Sequence, residues 1–567
     1  MSFKLFMVIA LVLVSQTVFA ETKLQKEMIR LIDAIELSFQ TTYAPYEWKK
    51  SYTNWDLEKT TEEARQWVRS NENPKVRDFH KILEKIFLSC KDYHVGYRFS
   101  STNSASLPFE VRQADGKFFL TFIDRKKLPL TSFPFNEGDE LVNFNQQATS
   151  LEVDKIFQAL GGNTKETDLA LASILLTRRS MARAMDLPSN KVLLGIKRKG
   201  ENKIVDHQLA WDVKEEAFDF TGLESTLGHK NNETKSAPLP RLDMISPLAL
   251  SLADQQKSQK SEDTANLYSI GGRKSFVPAL GKVLWETEET HSFYAALFMD
   301  EHKHMIGFVR IPSYGAGEKE SKAFGELLNK FEGMTDLLVI DQVNNPGGSV
   351  FYLYSLVSMF IESAVPTPRH QMALTHAVVE EAVELQEQLK DVKDEAKIKE
   401  IFEEDSASGY PFSMSFVTMV KDYAKFIINE WKEGHLLTRP YHLWGVDFIN
   451  PSPKYHYTKP VMLLTNELDF SGGDFFPAIM QDAKRVKILG VRTAGAGGYV
   501  LSQKLTNRLG LQSFSVTGSI AKRVSDNPIE NLGVKPDVDY ALSAGDLQNG
   551  HKGYKEAILK SVEEMLK

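Results

Sequence analysis

The chain has 567 residues, 42% of them hydrophobic, which is enough apolar material for several cores and predicts two to four domains. Its formal net charge of −7 offers no excess of positive charge to a nucleic acid or an acidic lipid surface. A single cysteine, Cys90, excludes an intramolecular disulfide.

In chain order, residues 1–20 read as a signal peptide: Lys4 lies near the start, Leu5 to Val14 is an apolar run, and Val18-Phe19-Ala20 is a small-residue cleavage pattern. The chain is therefore expected to be exported, periplasmic or secreted. Glu21 stands where a lipid anchor would need cysteine, and no later stretch is apolar for long enough to cross a bilayer. Residues 21–104 form a mostly helical region with Trp48, Tyr52 and Trp55 as expected core aromatics. Phe79, Ile82, Leu83, Ile86, Phe87 and Cys90 recur as one helical stripe, with Cys90 read as a small core residue. Over residues 105–213 the texture changes to short strands. Asp115-Gly116 and Gly200-Glu201-Asn202 mark hairpins, an amphipathic helix is expected from about Asp168 to Ala184, and Gly138-Asp139-Glu140-Leu141-Val142 resembles the Gly-Asp segment of PDZ domains. A PDZ fold accepts a peptide as an added strand, but no Gly-Leu-Gly-Phe carboxylate loop is present, so a scaffold role is an equal reading. Residues 214–290 are the least globular stretch and are expected to be a mobile, protease-accessible linker.

From about residue 291 to 567 strands alternate with helices, the signature of a layered α/β domain. Met305 to Ile311, Leu337 to Asp341, Val461 to Thr465 and Val486 to Val491 are its expected strands, and a charged helical insertion near Ala377 to Glu404 reads as a solvated face. Gly495-Ala496-Gly497-Gly498 lacks the Lys-Ser/Thr of a phosphate loop. His302 and His304 have no third ligand near in sequence, so no metal and no cofactor is expected.

Two junctions carry the chemistry. Ser471 lies where the strand Val461–Thr465 turns through Asn466 to Phe470 into a helix beginning at Gly472. A serine there projects beside free backbone N–H groups and the positive end of a helix dipole, where acyl-transfer enzymes place a nucleophile. Ser471-x-x-Asp474 is equally an ordinary helix N-cap. The second junction takes Leu337–Asp341 into Gln342-Val343-Asn344-Asn345-Pro346-Gly347-Gly348, whose glycines let backbone approach a ligand, with an apolar helix expected from Ser349 to about Ile361.

Together these two junctions resemble the tail-specific (C-terminal processing) serine protease family, in which an Asp-x-x-Asn-Asn-Pro-Gly-Gly segment precedes a nucleophilic serine at a helix start. That family usually activates its serine with a lysine on the loop that is here Arg492-Thr493-Ala494-Gly495-Ala496-Gly497-Gly498, and Ala496 stands in the lysine's place. The chain is similar almost end to end to the chlamydial branch of the family, which uses a histidine and a glutamate. The likeness runs through Tyr43-Ala44-Pro45-Tyr46-Glu47-Trp48-Lys49, Asp92-Tyr93-His94-Val95-Gly96, Asp469-Phe470-Ser471 and Ile529-Glu530-Asn531-Leu532-Gly533-Val534. The resemblance implies Ser471 as nucleophile, His94 as base and Glu530 as orienting acid, with oxyanion donors from the N–H groups of Gly472 and of Gly347 or Gly348. Periodicity alone selects neither partner: His94 is one of 13 histidines and follows a helix, and Glu530 lies in a loop where a solvated glutamate is the default. The resemblance further implies polypeptide substrates, a homodimer, and an inactive precursor that removes an internal segment by self-cleavage. The expected fold is α/β and multidomain, a protease core of the tail-specific type with a helical N-terminal region and a PDZ-like domain. Two functions of different class follow: a secreted serine endopeptidase, or a catalytically inactive ligand- or peptide-binding protein on the same fold. All three residues needed for catalysis being present favours the first.

Overall fold

The structure, a computed structural model, describes residues 21–188, 191–216, 243–257, 266–402 and 405–567; the expected signal segment and parts of the expected linker lie outside these residues. Four helices open it: α1 (Lys23–Thr42), α2 (Tyr46–Thr53), α3 (Leu57–Ser70) and α4 (Val76–Ser89). Thr22 and Asp56 begin α1 and α3 as side-chain caps for the N–H groups of Gln25 and Lys59. The expected stripe of α4 is buried against Ile32, Ile35 and Phe39 of α1 and against Leu511, Phe514 and Val516 of a distant strand, which ties the helical region to the rest of the chain. Trp55 is buried, but Tyr52 is 49% exposed and Trp48 only half-buried. The two stack on each other, 4.7 Å between ring centroids, because α2 turns Lys49 rather than this pair to the interior.

Next, β1 (Phe109–Ala114), β2 (Lys117–Ile123), β3 (Glu140–Phe144), β4 (Lys191–Lys197) and β5 (Ile204–Ala210) form an antiparallel sheet in that order. Asp115 and Gly116 both take positive φ, as the expected two-residue hairpin turn requires. Helices α5 (Thr149–Ala159) and α6 (Lys165–Leu175) accompany the sheet, sending Val153 and Ala172 into its core. The helix expected to reach Ala184 stops at Leu175 because Arg178–Ser180 instead pairs with Ser104–Ser106 in a small sheet.

After a short strand β6 (Asp243–Ile245) and a helix α7 (Pro247–Lys257), the α/β domain is built from β7 (Lys282–Glu286), β8 (Ala295–Met299), β9 (Met305–Arg310), α8 (Glu318–Glu332), β10 (Leu337–Asp341), β11 (Gly347–Ser349), α9 (Val350–Ser358), α10 (His376–Leu389), α11 (Glu395–Phe402), α12 (Met414–Lys432), β12 (Val461–Thr465), α13 (Gly472–Asp482), β13 (Lys487–Gly490), β14 (Val538–Asp539) and α14 (Lys552–Leu566). Its seven-stranded sheet has the order β7-β8-β9-β10-β12-β13-β14, parallel from β9 onward. Strands β10 and β12 are apolar on both faces, as central parallel strands must be. Alternation sends Leu338, Ile340, Val461 and Leu463 into a core with α8, α9 and α13, and Leu337, Val339, Met462 and Leu464 into one with α14. The charged insertion is not simply a solvated face: Leu385, Leu389, Ile398 and Phe402 enter the first of these cores. Among the described residues no helix is long and apolar enough to cross a membrane.

Candidate active site

Loops at the carboxyl ends of adjacent parallel strands converge, and β10 and β12 deliver the two junctions side by side. The polar residues of the first junction bind it to the second. Asp341 pairs with Arg310 at 3.1 Å and accepts the Val343 N–H. Gln342 donates to Asp469 and to the Gly473 carbonyl, at 3.1 and 2.8 Å. Asn344 and Asn466 exchange hydrogen bonds of 2.8 Å, and the Asn345 N–H donates to Asp469 at 2.9 Å. Each of these side chains is buried, so the turn and the loop before Ser471 are set by satisfied polar contacts rather than by apolar packing.

Ser471 has φ 57 and ψ −109, a conformation serine holds only under constraint. Asp474 supplies it, accepting the Ser471 N–H at 2.7 Å together with the Thr493 hydroxyl and the N–H groups of Gly495 and Ala496. Burial pushes the Asp474 carboxyl up to about 6 against these donors. The backbone half of the N-cap pattern is thus real. The Ser471 hydroxyl takes no part in it: it is fully buried with no hydrogen-bond partner. The glycine-rich loop serves carboxylates, since Gly495 and Ala496 donate to Asp474 and Gly497 to Glu530.

His94 lies in the loop after α4. Its N–H donates to Asp92 at 2.8 Å, and its carbonyl accepts from the Ser515 hydroxyl at 2.8 Å. The ring is fully buried and neither nitrogen has a partner. Burial, with Lys49 adding to it and Asp92 opposing, lowers its pKa to about 4, so the imidazole is neutral and able to accept a proton. Glu530 is equally buried; one oxygen accepts from Gly497 at 2.9 Å and the other pairs with the Lys49 ammonium. Asp92, His94 and Glu530 have ligand atoms within 4.8 Å of one another, so the fold gathers the expected base and acid from distant parts of the chain. Neither of them is hydrogen-bonded to the other or to Ser471. The same spacing would suit a metal ion, but Asp92 is taken up by Tyr43, Thr517 and the His94 N–H, and Lys49 already brings a cation to Glu530.

A strand and a helix cover this site. β6 pairs antiparallel with β11, Met244 opposite Gly348, as a bound peptide would. This pairing makes a strand of Gly347 and Gly348, expected as a bare turn, and of Ser349, expected to open the helix that instead begins at Val350. Ser246 donates from its N–H to Pro346 and from its hydroxyl to the Tyr93 carbonyl, while Ala249, Leu252 and Ala253 of α7 pack with Tyr93, Phe470, Ala494 and Ala496. Gly347 donates its N–H to Asn345 Oδ1 at 2.9 Å, whereas Gly348 pairs with Met244 of β6, so Gly348 is the turn glycine that departure of β6 would leave as a candidate oxyanion donor beside Gly472. A Cβ on Gly472 would lie 3.2 Å from the Gly348 nitrogen. Gly472→Ala is therefore expected to fold normally but to crowd both donors, costing about 3 kcal/mol of transition-state stabilisation, roughly a hundredfold in kcat on a peptide substrate. Turnover equal to wild type would contradict that placement.

Sequence reasoning assigned no role to Lys49, Asp92, Asn466 or Asp469. All four lie in or beside stretches that carry the family likeness, and all are buried polar residues, but burial is not visible in a sequence. His302 and His304 stay outside the site, His304 being bonded to Asp300 at 2.8 Å.

Residues 305–540 match the family model described as peptidase family S41, and residues 103–219 the one described as a PDZ domain. A protein of Chlamydia muridarum is 32% identical over 569 residues, spanning 95% of this chain and 92% of its own length. One of Chlamydia pneumoniae is 32% identical over 561 residues, spanning 93% and 88%. Among solved structures, mature CPAF complexed with lactacystin has a TM-score of 0.82 at 28% identity, with 96% of this chain and 99% of that one covered. Mature CPAF by itself gives 0.82 and 28% with 96% and 98% covered.

Proposed function

From a chain that belongs to peptidase family S41 and is a serine-type peptidase, we propose an exported, homodimeric endopeptidase that cleaves polypeptides through an acyl-enzyme, with Ser471 as nucleophile, His94 as general base and Glu530 as orienting acid. The observation that carries this reading is a pair of fully buried, unpartnered groups, the Ser471 hydroxyl and the His94 ring, flanked by residues in contact: Tyr93 and Phe470 pack edge to face at 5.4 Å. Buried polar atoms left without partners are rare and call for a reason, and a site held for a partner not yet engaged supplies one. In the reaction His94 takes the proton as Ser471 Oγ attacks the substrate carbonyl, Glu530 accepts from the other ring nitrogen, and the N–H groups of Gly472 and Gly348 receive the developing oxyanion. The imidazolium then gives that proton to the leaving amine as the C–N bond breaks to form the acyl-enzyme, and the neutral His94 next takes a proton from water as it attacks the ester and releases the acyl group from Ser471.

The described state is the precursor in this reading. β6 and α7 lie where a substrate strand would lie, and removing them opens the cleft to peptide and lets the serine and imidazole meet. Activation is by self-cleavage between Asp212 and Pro278. Incubating concentrated protein beside its Ser471→Ala form is expected to yield fragments of roughly 25 and 35 kDa in the active form only, with activity appearing as they do. Fragments appearing equally in both forms would refute self-cleavage, and full activity of the uncut chain would show that the segment does not inhibit.

A further inference from the structure

Lys49 is a charged side chain with no exposed surface, and its three ammonium hydrogens are all placed: on the Lys91 carbonyl at 2.7 Å, on Asn531 Oδ1 at 2.8 Å and on Glu530 Oε1. A buried ammonium is costly to desolvate and persists where its partners need it. With every hydrogen donated, Lys49 offers no lone pair, so it is not a substitute for the lysine base that Ala496 replaces. Its setting is a cluster of two carboxylates, Asp92 and Glu530, with the His94 ring, all three of them buried.

We propose that Lys49 is a positioning residue for hydrolysis: it fixes Glu530 beside His94 and supplies the positive charge that favours the carboxylate form of Glu530 next to Asp92. This rests on the reading of Ser471, His94 and Glu530 as the triad. Two carboxylates this close in a buried site do not both stay charged without a cation. One ammonium against two carboxylates leaves one net negative charge, which the imidazolium formed during turnover neutralises. Without Lys49 the cluster would hold two, and a carboxylate would take up a proton ahead of His94. Burial and the charge of Asp92 push the Glu530 carboxyl up to about 7 even though Lys49 and the Gly497 N–H draw it back, so near neutral pH its charge depends on Lys49. Asp92 lies below the ordinary carboxylate range against the effect of burial, through Lys49, His94 and Thr517. Tyr43 and Cys90, which face the cluster from just past the C-terminal ends of α1 and α4, are both pushed up by burial and stay neutral.

The test is the pH profile of kcat/KM for wild type, Lys49→Met, Lys49→Arg and the double variant Lys49→Met/Asp92→Asn, each processed in trans by tagged wild-type enzyme that is then removed. Lys49→Met is expected to lose about a hundredfold near pH 7, with KM unchanged and the acid limb moved up by about two units, so that activity returns as pH rises. Lys49→Arg is expected to keep the wild-type limb. The double variant removes one charge of each sign and is expected to bring the limb back, and it carries the test if Lys49→Met does not fold. A wild-type profile in Lys49→Met, or a loss equal at every pH and unrelieved in the other two variants, would overturn the inference. Wild type without Ser471-dependent hydrolysis would sink the triad reading itself, and this inference with it.

Discussion

Ser471→Ala is expected to abolish peptide hydrolysis, lowering kcat by about 10⁴-fold or more, while leaving thermal stability within about 1 kcal/mol of wild type. The hydroxyl makes no hydrogen bond, so its loss removes no structural contact. The turn that presents it is held by Asp474 through the backbone N–H, which alanine retains. A nucleophile that is also structurally idle is the condition under which activity and stability separate most cleanly. Residual hydrolysis comparable with wild type would place the nucleophile elsewhere.

His94→Ala is expected to fall nearly as far, by about 10⁴-fold, because a serine hydroxyl without a base is a poor nucleophile at neutral pH. Here too the contacts that hold the loop run through backbone, to Asp92 and Ser515, and survive the substitution. Glu530→Gln is expected to cost less in turnover than either and more in stability, since the buried Lys49 ammonium loses its direct ion-pair partner and keeps only Asp92 as counter-charge. The check is a paired measurement of kcat and melting temperature for the three variants. A histidine variant that melts early and keeps its turnover would reverse the assignment.

The central strands were legible because both of their faces are buried: Leu337–Asp341 and Val461–Thr465 are apolar runs with no polar alternation to confuse them. The hairpin at Asp115-Gly116 was legible because the turn chemistry is local. The end of α6 was not, since Arg178–Ser180 leaves the helix for a strand partner more than seventy positions away, at Ser104–Ser106. Nor was the buried side of the charged insertion, where Leu385, Leu389, Ile398 and Phe402 are spaced among acidic and basic residues that dominate the local composition. In the site, Ser471 announced itself by its strand-to-helix junction. His94 and Glu530 came only from family resemblance, because what distinguishes them is an encounter between a loop after α4 and a loop near the C-terminus. Lys49, next to Trp48 and three residues before Tyr52, both expected in the core, carried no sign that it would be the buried one.

In the proposed mechanism Ser471 becomes reactive when the segment from Asp243 to Lys257 leaves it. A fluorophosphonate probe, applied to the wild-type protein before and after incubation and followed by peptide mapping, measures that directly. The predicted result is little labelling of the intact chain, then labelling on the peptide that contains Ser471, rising with the appearance of the two fragments and absent from Ser471→Ala. Cut protein that stays unlabelled, or that is labelled at another residue, would contradict it.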